Sequence, residues 1–247
     1  MKKLITTTLL ALALGSPINA QSKLNDAERA DFRAEVRAYL MENPEVLMEA
    51  IAVLEDRRAA DAVANDLALL ETNGDEIFSD PASWVGGNPD GDITVVEFMD
   101  YRCGYCKKAF EEVAELIESD GNIRFVVKEF PILGPQSELA SRFAVSVLQI
   151  EGAETYAKAH DALMVMKGDV TPESLAALAT EVAVKDVDAI LAHMDAPEVT
   201  SVIEGNRALA QRLAVNGTPT FVIDKTLVRG YVPLEGMRQI VDEQRKG

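Results

Sequence analysis

Two cysteines occur in 247 residues, Cys103 and Cys106, and they stand together in a Cys-Gly-Tyr-Cys run. Ahead of them, Ile93 to Met99 is a hydrophobic stretch with the pattern of a buried strand. Behind them, Phe110, Val113, Leu116 and Ile117 recur at helical spacing until Asp120-Gly121. The pair therefore falls at a strand-to-helix junction, its sulfurs one turn apart and close enough to bridge, with Cys103 at the helix N-terminus. Unpaired N–H groups and the positive end of the helix dipole favour a thiolate there. The chemistry this supports is thiol–disulfide exchange: Cys103 attacks a disulfide, and Cys106 or a substrate thiol resolves the mixed disulfide. As a purely structural crosslink the pair would close too short a loop to stabilise much. A zinc site is short of ligands, because the two histidines, His160 and His193, do not flank the pair at ligand spacing.

Composition limits what else the chain could do. It opens with Lys2 and Lys3, an apolar run from Leu4 to Leu14, and then Gly15-Ser16-Pro17-Ile18-Asn19-Ala20. This three-part layout predicts a signal peptide over residues 1–20, cleaved after Ala20. The run is too short to span a membrane, and no later segment is long enough. The expectation is an exported protein, periplasmic in a bacterium with two membranes. Its formal net charge of −17 becomes more negative once Lys2 and Lys3 are removed. With aromatic content of 6%, so acidic a chain is a poor partner for nucleic acid or anionic lipid.

The elements that must position the cysteines can be followed along the chain. Residues 21–72 form a separate helical arm, with stripes at Phe32, Val36, Tyr39 and Leu40, then Leu47, Ile51 and Leu54, then Val63, Leu67 and Leu70. Asn43-Pro44 breaks this arm, with Asn43 expected as the N-cap of the helix that follows. Such stripes either pack on the chain's own domain or seek another copy. Ile77-Phe78 suggests a short edge strand, and Trp84 an apolar anchor. Ile123, Phe125 and Val127 alternate with Arg124, Val126 and Lys128 and predict the strand after the first helix. Residues 137–215 carry helical periodicity, including the Thr171-Pro172 start signal. Thr220 to Ile223 and Leu227 to Tyr231 read as a hairpin, followed by a helix from Leu234 to Gln244.

The order βαβ, helical block, ββα resembles a thioredoxin fold with an inserted helical domain, as in the bacterial Dsb proteins, over residues 77–247. The resemblance rests on Glu-Phe-x-x-Tyr-x-Cys-x-x-Cys-Lys, from Glu97 to Lys107, and on Gly217-Thr218-Pro219-Thr220-Phe221. Phe32 to Arg57, with Glu42-Asn43-Pro44-Glu45, is similar to the N-terminal arm of trimeric ScsC-like proteins, which are exported isomerases and reductases. The fold class implied is α/β: a thioredoxin-like domain over 73–247, with helices inserted at about 135–205, after an oligomerisation arm at 21–72. The resemblance implies catalytic roles for Cys103, Cys106, Glu97 and Pro219, and substrate contact at Thr218, Gly104 and Tyr105.

Glu97, an acid in an otherwise apolar strand, would be the buried carboxyl that relays a proton to or from Cys106, with Lys128 as a candidate partner. Pro219 would be cis, turning the Thr218 backbone toward the disulfide and an extended client segment. Gly104-Tyr105 matches DsbC-type isomerases, whereas DsbA-type oxidases usually carry Pro-His, so a less oxidising pair is expected. The redox-active disulfide Cys103–Cys106 would serve without any other cofactor. Partners would be misfolded exported proteins, a membrane thiol–disulfide protein that resets the pair, and two further copies in a homotrimer. A monomeric DsbA-like oxidase, and a chaperone-like binder with incidental cysteines, are the alternatives. Tyr101, Phe110 and His160 are expected to be structural, and Met164 and Met166 to lie in the core.

Overall fold

The computed structural model describes residues 25–246, so the expected leader at 1–20 lies outside the described residues. Helix α1 (Asp26–Glu42) begins on a reciprocal cap. Asn25 Oδ1 accepts the Glu28 N–H at 3.0 Å, and the Glu28 carboxylate accepts the Asn25 N–H at 2.8 Å. Asn43 is not the N-cap expected of it. Its backbone N–H and Nδ2 both donate to the Tyr39 carbonyl, at 2.8 and 2.9 Å, and so close α1 instead. A helix C-terminus leaves carbonyls without partners, and an amide side chain can donate as well as accept. Helix α2 (Glu45–Thr72) follows Pro44. The chain divides into two compact units inside α2, the first ending at Arg58 and the second starting at Ala59. In the first unit no residue of α1 is buried, and Phe32, Val36, Leu40, Met41 and Leu47 line an open apolar hollow of about 420 Å³.

In the second unit, helix α3 (Gly74–Phe78) replaces the edge strand expected at Ile77-Phe78. Asp75 and Glu76 suit a helix N-terminus, and Ile77 is carried fully into the core. Strand β1 (Trp84–Gly87) has no counterpart in the sequence reading, because two of its four residues are glycine. Gly86 is required there: the Trp84 indole folds over it, and a Cβ would lie 2.1 Å from that ring. Then come β2 (Ile93–Met99), α4 (Gly104–Asp120) and β3 (Ile123–Glu129). The insert is α5 (Pro135–Glu151), α6 (Ala153–Val165), α7 (Pro172–Glu181), α8 (Val187–His193) and α9 (Pro197–Arg212). The chain closes with β4 (Thr220–Ile223), β5 (Thr226–Arg229) and α10 (Leu234–Lys246). This is a thioredoxin fold with an inserted helical domain.

The sheet order is β1-β3-β2-β4-β5, with β2 parallel to β3 and the remaining pairs antiparallel. Central β2 is covered on both faces, which accounts for its nearly unbroken apolar sequence. Val95 and Met99 point into the cluster that holds Cys106, Ala109, Val113 and Leu116 of α4. Val96 and Phe98 point the other way, against Ile77, Leu209 and Leu213. Strand alternation puts Glu97 on the α4 side. Lys128 pairs in register with Phe98 and faces the opposite side, so its expected pairing with Glu97 is wrong. One residue along a strand reverses the face. Lys128 Nζ instead donates to Asp80 Oδ2 and to the Glu76 carbonyl, both at 2.7 Å.

Candidate active site

Cys103 is the N-cap of α4, in extended backbone conformation (φ −75°, ψ 117°), and its Sγ accepts the Cys106 N–H at 3.4 Å. Both cysteines are free thiols; Cys106 is fully buried and Cys103 is 6% exposed. Cys103 is thus recessed, with the loop before β4 closing over it. The Cys103 thiol donates to the Thr218 carbonyl at 3.1 Å. A hydrogen bond from the Cys106 thiol brings the Cys103 pKa down from 9.0 to about 5. Burial opposes that shift, while the Thr218 side chain and the N–H groups of Cys106 and Tyr105 reinforce it. Cys106 moves the other way, pushed far up first by its hydrogen bond to Cys103, then by burial and the nearby Glu97 charge. The two sulfurs divide the work: one is ionised at neutral pH and the other holds the proton.

The Thr218–Pro219 bond is cis. Gly104 and Tyr105 are both exposed beside Cys103. A Cβ on Gly104 would meet nothing within 4 Å, so this side of the sulfur is open. Tyr105 stacks on Tyr231 at a centroid distance of 6.1 Å, and Lys108 Nζ lies 4.2 Å from the centre of the same Tyr231 ring. Glu97 is 2% exposed and its Oε1 has no hydrogen-bond partner in the protein. Burial, aided by the Cys103 charge, raises its pKa from 4.5 to about 8. It lines a cavity of about 250 Å³ whose walls include Trp84, Phe110, Phe125 and His160. Cys103, Cys106, Glu97, Thr218 and Pro219, which come from two separate stretches of sequence, are brought together around the C-terminal half of β2.

Two buried acids at this site were not singled out by sequence. Asp100 ends β2: Oδ1 accepts the Arg102 N–H at 2.7 Å, and Oδ2 accepts those of Ile132 and Leu133 at 2.8 and 3.0 Å. Its carbonyl also takes the Cys103 N–H at 3.0 Å. Glu129 ends β3 and accepts hydroxyls from Tyr101 (2.8 Å), Tyr156 (2.6 Å) and Ser141 (2.7 Å). Burial raises the Glu129 pKa to about 7 even though these three hydroxyls hold it down. His160 shares its Nδ1 with the Tyr101 hydroxyl at 3.1 Å, and burial lowers it to about 4, so its ring is neutral at pH 7. Asp100 directly follows the apolar Phe98-Met99 at the end of β2, and Glu129 is the last residue of β3 after Lys128; an acid at the end of a buried strand is the one signal that could have found them. Among the described residues, no group of three His, Cys, Asp or Glu side chains is placed to hold a metal ion.

Comparison with known proteins agrees with this arrangement. Residues 94–242 match the family model for a DSBA-like thioredoxin domain, and residues 28–61 match that for the copper resistance protein ScsC N-terminal domain. The chain is similar to disulfide bond formation protein D of Bacillus subtilis (strain 168), 24% identical over 170 residues, which cover 65% of this chain and 76% of that protein. A thioredoxin-like oxidoreductase from Silicibacter pomeroyi DSS-3 superposes with a TM-score of 0.65 at 43% identity, covering 70% of this chain and 98% of that one. Proteus mirabilis ScsC in a transitional conformation superposes with a TM-score of 0.66 at 28% identity, covering 90% of this chain and 96% of that one.

Proposed function

Since the chain belongs to the DSBA-like thioredoxin family of thiol–disulfide oxidoreductases, we propose that it is an exported isomerase and reductase of protein disulfides. The observation that carries this is the split between the two sulfurs: Cys103 at about 5, and Cys106 far above its ordinary value. The Cys103 thiolate attacks one sulfur of a client disulfide. A Cys103–client bond forms, and the other client sulfur leaves as a thiolate. If a client thiolate then attacks the mixed disulfide, Cys103 is released and the client is reshuffled with no net redox change. If Cys106 attacks, the client leaves reduced and Cys103–Cys106 becomes the disulfide, which a membrane thiol–disulfide partner would reduce again. No other cofactor enters either route.

Glu97 would serve as the proton acceptor for Cys106, and the charges explain its timing. In the resting enzyme the Cys103 thiolate helps keep Glu97 protonated. Formation of the mixed disulfide removes that negative charge. The Glu97 pKa then falls, its carboxylate becomes available, and Cys106 loses the thiolate partner that held its own pKa up. Thr218 would offer its main chain to an extended client segment beside Pro219, and Gly104 and Tyr105 would flank the same segment.

The N-terminal layout supports export to the periplasm, and among the described residues no helix is long and apolar enough to cross a membrane. The exposed stripe of the arm supports assembly into a homotrimer, which would set several Cys103 sites around one client. Refolding of scrambled ribonuclease by the mature protein tests the proposal: recovery should be catalytic and should vanish in Cys103→Ser. Stoichiometric protection that survives Cys103→Ser would instead identify a binding protein. The low Cys103 pKa also favours one competing role. Stabilising the reduced form makes the disulfide a stronger oxidant, as an oxidase requires. Equilibration with glutathione separates the two, because a potential among the strongest oxidants would select the oxidase.

A further inference from the structure

Glu97 meets no positive charge in its cavity. The wall of that 250 Å³ space holds no lysine or arginine. The carboxyl is 2% exposed, and its Oε1 has no hydrogen-bond partner. A second acceptor stands in the same wall. The Tyr101 hydroxyl places its one hydrogen on Glu129 Oε1 at 2.8 Å, so the His160 Nδ1 that shares this hydroxyl at 3.1 Å must carry a hydrogen itself. In the neutral ring Nε2 is then a bare lone pair, with no donor to it among the described residues.

The rest of the buried lining is apolar: Trp84, Phe110, Val113, Ile117 and Phe125. A water is held well in a cavity when it finds about two to four polar partners, and this lining offers few. The mouth carries Glu118 and Asp161, both exposed, in a chain of formal net charge −17. Acceptors without donors, aromatic walls and an acidic entrance are complementary to one kind of molecule. We propose that this cavity is a binding site for a small organic cation, a primary ammonium carried on an apolar or aromatic body. The ammonium brings three donors and a positive charge to Glu97 and His160, Asp161 adds a second negative charge nearer the mouth, and the body packs on the aromatic wall. The cation would occupy the carboxyl that the proton relay proposed above needs, but binding does not itself require the relay.

Trp84 is the sole tryptophan of the chain and part of the wall, so its fluorescence reads occupancy directly. The reduced, mature protein is titrated with phenethylamine and with 2-phenylethanol, which has the same body but no charge. Phenethylamine should change the Trp84 emission saturably and bind at least about tenfold more tightly than the alcohol, as one charge-assisted hydrogen bond predicts. Glu97→Gln removes the charge and should make the two affinities nearly equal. Asp161→Asn, at the exposed mouth, should weaken the amine about threefold and leave the alcohol unchanged. Equal affinities in the wild type, no saturable change with either compound, or an amine preference that survives Glu97→Gln would overturn the assignment.

Should Glu97→Gln fail to fold, NMR shifts of the wild-type protein decide. Phenethylamine should perturb the Trp84 indole N–H and its neighbours in α4 and α6, and shifts confined to the hollow lined by Phe32 and Val36 would reject the site. Saturating amine also separates the site from the relay. Attack of Cys103 on a disulfide should keep its rate while release through Cys106 slows; binding without slower release would uphold the site and remove the relay.

Discussion

Replacing Cys106 with alanine probes the principal source of thiolate stabilisation, since the Cys106 thiol is the first cause of the low Cys103 pKa. A hydrogen bond to a charged acceptor contributes about 1.5–3 kcal/mol. Its loss should raise the Cys103 midpoint by about one to two pH units. The consequence depends strongly on pH. At pH 5.5, a thiol with a midpoint of about 5 is roughly three-quarters ionised, and one at about 6.5 only roughly one-tenth. At pH 7 the same two thiols differ by only about 1.3-fold in ionised fraction. Iodoacetamide trapping of Cys103 should therefore slow about eightfold at pH 5.5 in Cys106→Ala and hardly at all at pH 7. Cys106→Ser, which keeps a donor on the same turn, should recover part of the loss. The reasoning is refuted if the Cys106→Ala midpoint stays at the wild-type value, or if the wild-type sulfur titrates near 9.0, the ordinary value. The same titration has a thermodynamic face. A thiol whose folded-state pKa is depressed gives the reduced protein stability that grows as pH rises from about 5 toward 9.0, and that stability is lost as pH falls through about 5.

Three other outcomes are expected. Glu97→Leu should fold and form the mixed disulfide at the normal rate but release the client through Cys106 at least about tenfold more slowly, as stopped-flow quenching can resolve; equal release rates would remove the relay. Glu129 has a folded pKa of about 7 against an ordinary 4.5, so its contribution to stability is present below 4.5 and lost as pH rises through about 7. In the oxidised protein, Glu129→Gln should flatten that segment of the Tm-versus-pH curve, and a wild-type curve without the decline would argue against the burial cost. Ile51→Asp, on the exposed stripe of α2, should lower the light-scattering mass of the mature protein without changing its reaction with hydroxyethyl disulfide; a monomeric wild type would dispose of the assembly.

How much of this was legible beforehand depended on whether the information was local. The helix start at Cys103 and the buried run of β2 are written in adjacent residues, so pattern and chemistry agree there. The α3 turn misled because Ile77-Phe78 has strand propensity, while the acids just before it and the core contact of Ile77 decide for helix. β1 was hidden because Gly86 and Gly87 lack side chains to show a period, and the need for Gly86 arises only once Trp84 lies over it. Lys128 failed for another reason: composition placed a base near an acid, but register put them on opposite faces of the sheet. Asp100 and Glu129 bond to groups roughly thirty residues away, contacts that no window of sequence contains.

The recess of Cys103, with 6% of its surface accessible, bears on what the protein leaves alone. A cystine locked inside a finished fold cannot bend down to a sulfur sitting beneath the Thr218 carbonyl, whereas one on a slack, protruding stretch can. In the isomerase role proposed above, steric reach would act as proofreading: clients that have become rigid would drop out of the cycle, and no recognition of the correct bond pattern would be needed.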